Sequence, residues 1–491
     1  MIHTLIKKLD LEENKRQILS EIRKEIKNPA SFEIVFADVD SRLDFYLSLL
    51  THADAKTRKN VALLLGDLGI EEALRALWNA YESEEQLFVK SSYLSAMSQL
   101  DYDIFLPYLH DRCTQISSMT LTEENKKHFS EELHILNEMI IAKEGINTHI
   151  FTGYLNEHDC ILLTNRDYKD ITEKQISGGE ILPFNAGVRV KTTKLRQLLE
   201  IRTYQELLFV IPGLTVCPSN PEEAAKKIAD SGLLDILKKD HKGTLPFYFR
   251  IELKSKLPMD KKSAFSRKLS SSIEQLTNRN LINSPKDYEF EIRMIENKDG
   301  KYNTLIKYMT IPDVRFDYRE EHVSSSIKPS TAALLVELAK EYMVPDAQVL
   351  DPFCGVATML IERQMVVKAN TSYAIDTSAE AIEKAKHNVM CAGQIVHFIH
   401  KNFFDFTHEY RFDEILTNMP WAIGKVSQDD ISALYSRFFK KARTVLTPSG
   451  TIILYTHDAD LARVYAQKEG YSLKKSYSIH AKEGTALMIF R

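Results

Sequence analysis

Val349-Leu350-Asp351-Pro352-Phe353-Cys354-Gly355-Val356-Ala357-Thr358 is the stretch on which the fold turns. A short apolar strand ends in an acid, a tight turn follows, and a helix begins. In an open α/β sheet, ligands bind outside the carboxyl ends of the strands, where this loop would lie. Gly355 lets the backbone approach a ligand closely. Some 25 residues on, Tyr373-Ala374-Ile375-Asp376 reads as a second strand ending in an acid, placed to hold a ribose diol as in dinucleotide sites. An acid at a strand end also serves as a helix cap, and both readings stand at this point.

Outward from that stretch the chain alternates. From about residue 328 the pattern predicts helix 330–341, strand 348–351, helix 356–367, strand 372–376, helix 378–391 and strand 395–400. Strand 413–417, helix 429–446, strand 450–456, helix 459–468 and strands 472–480 and 484–490 follow. Strands separated by helices imply a mostly parallel, doubly wound sheet. The final pair has no helix between its strands, which implies one antiparallel strand at the end.

A third signal, Thr417-Asn418-Met419-Pro420-Trp421, follows the fourth strand. The Asn418 side-chain oxygen and a backbone carbonyl at Met419 or Pro420 can accept both protons of an exocyclic amine. That points the nitrogen lone pair at an electrophile. Trp421 offers a flat face for a base, worth about 1–3 kcal/mol in stacking. A type I turn with a core tryptophan has the same composition.

In order on successive strands, these motifs make residues 315–491 resemble the class I S-adenosylmethionine-dependent methyltransferases. More narrowly they are similar to the THUMP-associated RNA guanine-N2 methyltransferases. Phe316-Asp317-Tyr318-Arg319 and Ile327-Lys328-Pro329-Ser330-Thr331-Ala332 are similar to that family's lead-in helix. The resemblance implies a Rossmann-like domain using S-adenosyl-L-methionine. It implies that Asp351, Phe353, Cys354 and Gly355 line the methionine and ribose region, with Pro329, Ser330 and Thr331 flanking it. Asp376 would take the ribose hydroxyls, and Asn402 or Phe403 would lie against the adenine. Asn418, Pro420 and Trp421 would receive the target base.

Three departures from the family pattern stand out. Val356-Ala357-Thr358 replaces the usual Ser-Gly-Thr, adding a methyl at Ala357 where backbone and cofactor are expected to approach. Asn402 replaces an acid on the adenine side, its carbonyl still able to accept from the adenine amine. The glycine expected after the aromatic arrives late, at Gly424.

The resemblance reaches back more faintly. Residues 148–315 look like the family's ferredoxin-like plus THUMP pair, giving domains at 1–147 (helical), 148–214 (ferredoxin-like α+β), 215–315 (THUMP-like) and 316–491 (methyltransferase). Within 148–214, residues 158–164 and 206–211 read as strands and Lys191 to Ile201 as a helix. In 215–315, a helix opens at Pro221, strands fall at 247–253, 288–295 and 302–309, and helix 261–276 sets Phe265, Leu269 and Ile273 on one side.

Residues 1–145 read as helix after helix, with a weak repeat of about 32 residues that sets Arg58 against Lys90. The pattern resembles HEAT-type repeats, and a plain helical bundle is the alternative. Residues 1–150 carry 17 Lys/Arg against 25 Asp/Glu, a net −8, whereas 241–310 carry 14 against 8, a net +6. An acidic arm is a poor nucleic-acid binder and reads as a scaffold or protein-contact surface. The basic middle, through Lys254, Lys256, Lys261, Lys262, Arg267 and Lys268, reads as the RNA-facing patch.

The 491 residues, 44% hydrophobic and 27% charged, exclude disorder, collagen and a disulfide mini-protein. No apolar run approaches a membrane span of about 18–20 residues, and the charged start argues against a secretory signal. Five scattered cysteines without a CxxC pair fit a reducing cytoplasm. None of the fifteen histidines pairs with Cys or carboxylates at ligand spacing, so no metal site is expected. His387, His397, His400 and His457 read as surface or packing residues. The expected activity is methylation of a guanosine N2 in tRNA or rRNA. Adenine N6 or a protein glutamine is the alternative target, and an RNA-binding scaffold with a degenerate cofactor site is the alternative without catalysis. A nicotinamide dehydrogenase is disfavoured by the absence of GxGxxG after the first strand.

Overall fold

The computed structural model describes residues 2–11, 14–119, 122–146, 148–421 and 427–491. Its contacts divide the chain into two compact units. The first comprises residues 1–149, 216–234 and 243–303, and the second 150–215, 235–242 and 304–491.

In the first unit, nine α-helices from Ile2–Leu11 to Glu123–Glu144 fill the N-terminal part of the described chain. Helices Ala55–Asp67 and Leu87–Met97 meet backbone to backbone. A Cβ on Gly66 would stand 2.6 Å from Ala96 Cα, so only glycine permits the crossing. Asp54 caps the first of these helices by accepting from Thr57 N at 3.0 Å. The two basic residues aligned by the repeat act differently. Arg58 forms a two-pronged pair with Glu84, and Lys90 donates to the Tyr81 carbonyl. The rest of this unit sets strands Phe247–Lys254, Leu281–Asn283 and Phe290–Glu296 in parallel. Helix Met259–Leu276 buries Phe265, Leu269 and Ile273, the side expected from its periodicity.

In the second unit, strand His158–Leu163 lies between Gly187–Thr192 and Glu206–Val210, antiparallel to both. The helix expected from Lys191 to Ile201 is corrected. Gly187–Thr192 is a strand, and the helix is Leu195–Glu200. The alternation of Val188, Val190 and Thr192 carries the strand through Lys191, burying those side chains while its backbone pairs with Asp159. Glu180–Leu182, an additional edge strand, pairs with it.

The C-terminal part runs as follows: α1 Pro329–Ala339, β1 Gln348–Asp351, α2 Thr358–Val366, β2 Thr371–Asp376, α3 Ala379–Cys391 and β3 His397–His400. Then come β4 Phe412–Asn418, α4 Gln428–Val445, β5 Leu446–Thr456, α5 Ala459–Lys468, β6 Leu473–His480 and β7 Thr485–Phe490. The sheet order is β3-β2-β1-β4-β5-β7-β6. The first five strands are parallel, as alternation predicts. The antiparallel strand expected at the end is β7, the last in the chain, and it lies inside the sheet. β7 pairs with both β5 and β6, leaving β6 at the edge. The burial pattern accounts for this: all six residues of β7 are buried, whereas β6 begins with four exposed residues and suits an edge.

Inside this part, α2 is anchored by buried charge. Arg363 grips Glu414 of β4 through two bonds of 3.1 Å. Glu362 accepts from Arg202 and from Tyr318 Oη. Paired and hydrogen-bonded, these charges hold the helix that follows the first loop in one position. Among the described residues no helix is long and apolar enough to cross a membrane.

Candidate active site

β1 and β4 are neighbours at the centre of the sheet, so the loops after them open side by side at its carboxyl edge. Asp351 ends β1 with 1% of its surface exposed. Its Oδ1 accepts from Thr417 Oγ1 at 2.6 Å and from Phe353 N at 3.1 Å. Burial pushes its carboxyl up to about 7, the two donors pull it back, and the Asp376 charge adds to the rise.

The first loop is closed by its own backbone. Cys354 N donates to the Ile375 carbonyl, Gly355 N to Asp376 Oδ2 at 3.0 Å, and Ala357 N to the Cys354 carbonyl. Asp376 Oδ1 also accepts from Ser378 N. The acid thus holds the loop and the start of α3, yet stays half-buried on the wall of a cleft. Gly355 has φ +52 with open space where a Cβ would stand, which leaves its backbone accessible. Burial, and the charges of Asp351 and Asp376, push the Cys354 thiol up, so it lines the cleft as an inert group.

The cleft measures about 500 Å³. It gathers Asp351, Phe353, Cys354, Gly355, Asp376, Asn402, Phe403, Asn418, Pro420 and Trp421 from four strand ends. Phe403 is 1% exposed and packs on Phe353 and Phe438. The Asn402 carbonyl caps the following turn by accepting from Phe404 N at 3.0 Å. One lone pair expected for adenine is therefore already engaged. Trp421 is backed by His457, the rings stacked at 4.7 Å and 23°. Burial lowers the pKa of that histidine, favouring the neutral ring.

Some expected residues lie elsewhere. Ser330 and Thr331 line a small crevice with Asn165, Gln205 and His480, and Pro329 is the first residue of α1, outside the cleft lining. In their place Val323, Ser325, Ser326 and Ile327 form the wall, because the segment before α1 runs along the opening. The Ala357 methyl is also relocated. The residue is fully buried with Tyr318, Ile361, Ala385 and Val389, and the departure from glycine appears instead in a left-handed backbone of φ +64. Gly424 lies outside the described residues.

Sequence reasoning missed Thr417, which holds Asp351, and Thr358, which lines the cleft. Among the described residues, the buried Thr358 Oγ1 and Asn418 Oδ1 both lack a hydrogen-bond partner. A buried polar atom without a partner calls for an explanation, and on a cleft wall a bound ligand is one. The unpartnered atoms, the accessible Gly355 backbone and the paired acids suit a polar, cationic nucleoside ligand.

Of the basic residues, Lys254, Lys256 and Lys262 converge with Lys298 on a second cleft of about 960 Å³ in the first unit. Arg267 lines a separate groove with Lys127, Arg250 and Ser270. Lys261 lines neither, Lys268 is paired with Glu222 at 3.1 Å, and Lys254, though on the cleft, is paired with Glu252 at 2.8 Å. The patch is thus narrower than the sequence implies. The expected absence of Cys and carboxylate partners for histidine is corrected as well: Glu320, His387 and Cys391 bring their ligating atoms within 4.8 Å of one another.

This strand order, with its cofactor-type cleft over β1, β2 and β4, is that of a class I methyltransferase domain dependent on S-adenosylmethionine. Residues 317–485 match the family described as UPF0020: RMKL-like, methyltransferase domain. No curated protein matches the chain. Among solved structures it is similar to TrmN from Thermus thermophilus, at 18% identity over 68% of this chain and 99% of that one, TM-score 0.50. A predicted N6-adenine-specific DNA methylase from Listeria monocytogenes is 17% identical over 68% and 96%, TM-score 0.51. SMU.472, a putative methyltransferase complexed with SAH, is 14% identical over 68% and 97%, TM-score 0.53. At these identities the likeness is one of fold.

Proposed function

We propose that the protein transfers a methyl group from S-adenosylmethionine to the exocyclic N2 of a guanosine in RNA, of the tRNA or rRNA class. The observation that carries this reading is the buried Asn418 Oδ1, unpartnered among the described residues, beside Pro420 and Trp421 on the cleft. The cofactor supplies a methyl on a sulfonium, electrophilic enough that an amine needs no prior deprotonation. Asp351, Phe353, Cys354, Gly355 and Asp376 would hold it, with Asn402 and Phe403 at the adenine side. Asn418 Oδ1 and the carbonyl of Met419 or Pro420 accept the two amine protons and orient the lone pair. Trp421, backed by His457, receives the base, which must leave its stack at a cost of a few kcal/mol. The chain contributes mainly orientation and proximity. The proton leaves to water after transfer. Lys254, Lys256, Lys262 and Lys298 contact phosphates, which position RNA without reading its sequence.

The same Asn-Pro-aromatic arrangement can hold an adenine N6 or a glutamine amide. Nucleoside mass analysis after incubation with the cofactor and bulk tRNA or rRNA separates them. N2-methylguanosine is expected. N6-methyladenosine, or methylation of protein alone, overturns the guanine assignment. Absence of S-adenosylhomocysteine binding by calorimetry would mark a degenerate scaffold and overturn the catalytic reading.

A further inference from the structure

We propose that Glu320, His387 and Cys391 form a binding site for a divalent transition-metal ion of the zinc class. His387 and Cys391 stand four residues apart on α3, on one face of the helix. Glu320 reaches them from the segment before α1. Its Oε2 lies 2.7 Å from His387 Nε2, and Cys391 Sγ lies 3.6 Å from that same nitrogen.

The convergence on one nitrogen decides between two readings. A nucleophile–base–acid relay places the thiol and the carboxylate on opposite nitrogens of the ring. Here both meet at Nε2, as ligands around a single ion do. Zinc–sulfur and zinc–nitrogen bonds of about 2.3 and 2.0–2.1 Å set tetrahedral S and N ligands about 3.5 Å apart, close to the spacing present. The carboxylate–imidazole hydrogen bond would open by about 0.6–0.8 Å to admit the ion, a small movement for a glutamate with 61% of its side chain exposed. A thiolate, a neutral imidazole and a carboxylate together balance a dication. Mixed S, N and O donors favour zinc-class ions over magnesium or calcium.

The surroundings give the site a structural consequence. Glu321 N and O both bond to the Asn388 side chain, and Lys384 Nζ donates to the His322 carbonyl. The segment is thus laid along α3 before any ion binds, and it continues into Val323, Ser325, Ser326 and Ile327 on the cleft wall. An ion at Glu320 staples the start of that wall to α3. This inference does not depend on which base the enzyme methylates.

Cobalt(II) titration of the reduced full-length chain tests it, since a cysteine ligand adds a thiolate-to-metal charge-transfer band. One cobalt per chain is expected, displaced by zinc, with the band lost in Cys391→Ser and affinity at least tenfold weaker in His387→Ala. Cys391 is exposed, Cys113 intermediate and Cys160, Cys217 and Cys354 buried, so loss of the band in Cys391→Ser makes the assignment. Zinc should raise the melting temperature of the natural chain and not that of Cys391→Ser, whose metal-free melting temperature should be unchanged. No charge-transfer band, a band that persists in Cys391→Ser, or equal zinc stabilisation of both chains would overturn the site.

Discussion

Thr417 Oγ1 donates to Asp351 Oδ1 across 2.6 Å, joining the carboxyl ends of β4 and β1 beneath the cleft. Both residues are essentially without solvent contact. The hydroxyl therefore stands in for water beside a carboxylate that has lost it. Thr417→Val keeps the shape and removes the donor. The expected loss is about 1–3 kcal/mol, the range for leaving a buried acceptor unmet. It should be larger at pH 8, where the acid is charged, than at pH 5. Thermal melts at both pH values measure this, and an equal loss at each would count against the coupling.

Asp351 should also shape the pH dependence of stability. Burial holds its carboxyl near 7, above the value of about 3.9 for an unfolded chain. The folded state therefore keeps this proton to higher pH than the unfolded state does. Its contribution is full below about pH 4 and is lost as pH rises to about 7. Asp351→Asn removes that dependence and gains in relative stability over the same window. Parallel stability curves for the two proteins would contradict the assignment.

Ala357 offers a test of the altered loop. A left-handed backbone costs a residue with a side chain about 1–2 kcal/mol, while the buried methyl contributes about 0.8 kcal/mol. Ala357→Gly trades one against the other. Because the methyl faces the core, affinity for S-adenosylhomocysteine should change by less than about twofold. Calorimetry reads this, and a large gain in affinity would put the methyl back against the cofactor.

Asn418→Ala should separate catalysis from cofactor binding. Turnover is expected to fall by about a hundredfold or more, because the amine is no longer oriented. The dissociation constant of S-adenosylhomocysteine should stay nearly the same. A parallel loss of both would make Asn418 a structural residue of the loop.

Replacing Lys254, Lys256, Lys262 and Lys298 together by Ala should weaken RNA binding and flatten its salt dependence. Each lost phosphate contact lowers the slope of log K against log salt by about 0.7–0.9. Filter binding across a salt series measures it. An unchanged slope would remove this cleft from the interface.

The methyltransferase architecture was legible because alternation of strand and helix is written locally. The loop motif and the acids at 351 and 376 sit at fixed offsets from those strands. Asn418, Pro420 and Trp421 line one cleft because they form a contiguous run after a recognisable strand. Thr417 was not, since a threonine in a strand carries no mark until β1 is known to lie beside it. Pro329, Ser330 and Thr331 follow the cleft wall without lining it, and a helix start does not disclose which way its first turn faces.

Chain order and hydrophobic periodicity established the run of strands and helices, the acids at the strand ends and the polar loop after β4, since each depends on neighbours within a few residues. Packing across the sheet settled the insertion of β7 between β5 and β6, the inward turn of the Ala357 methyl and the raised pKa of Asp351. It also brought Glu320 to His387 and Cys391. These outcomes depend on burial and on which strands and segments come to lie side by side, which no local pattern encodes.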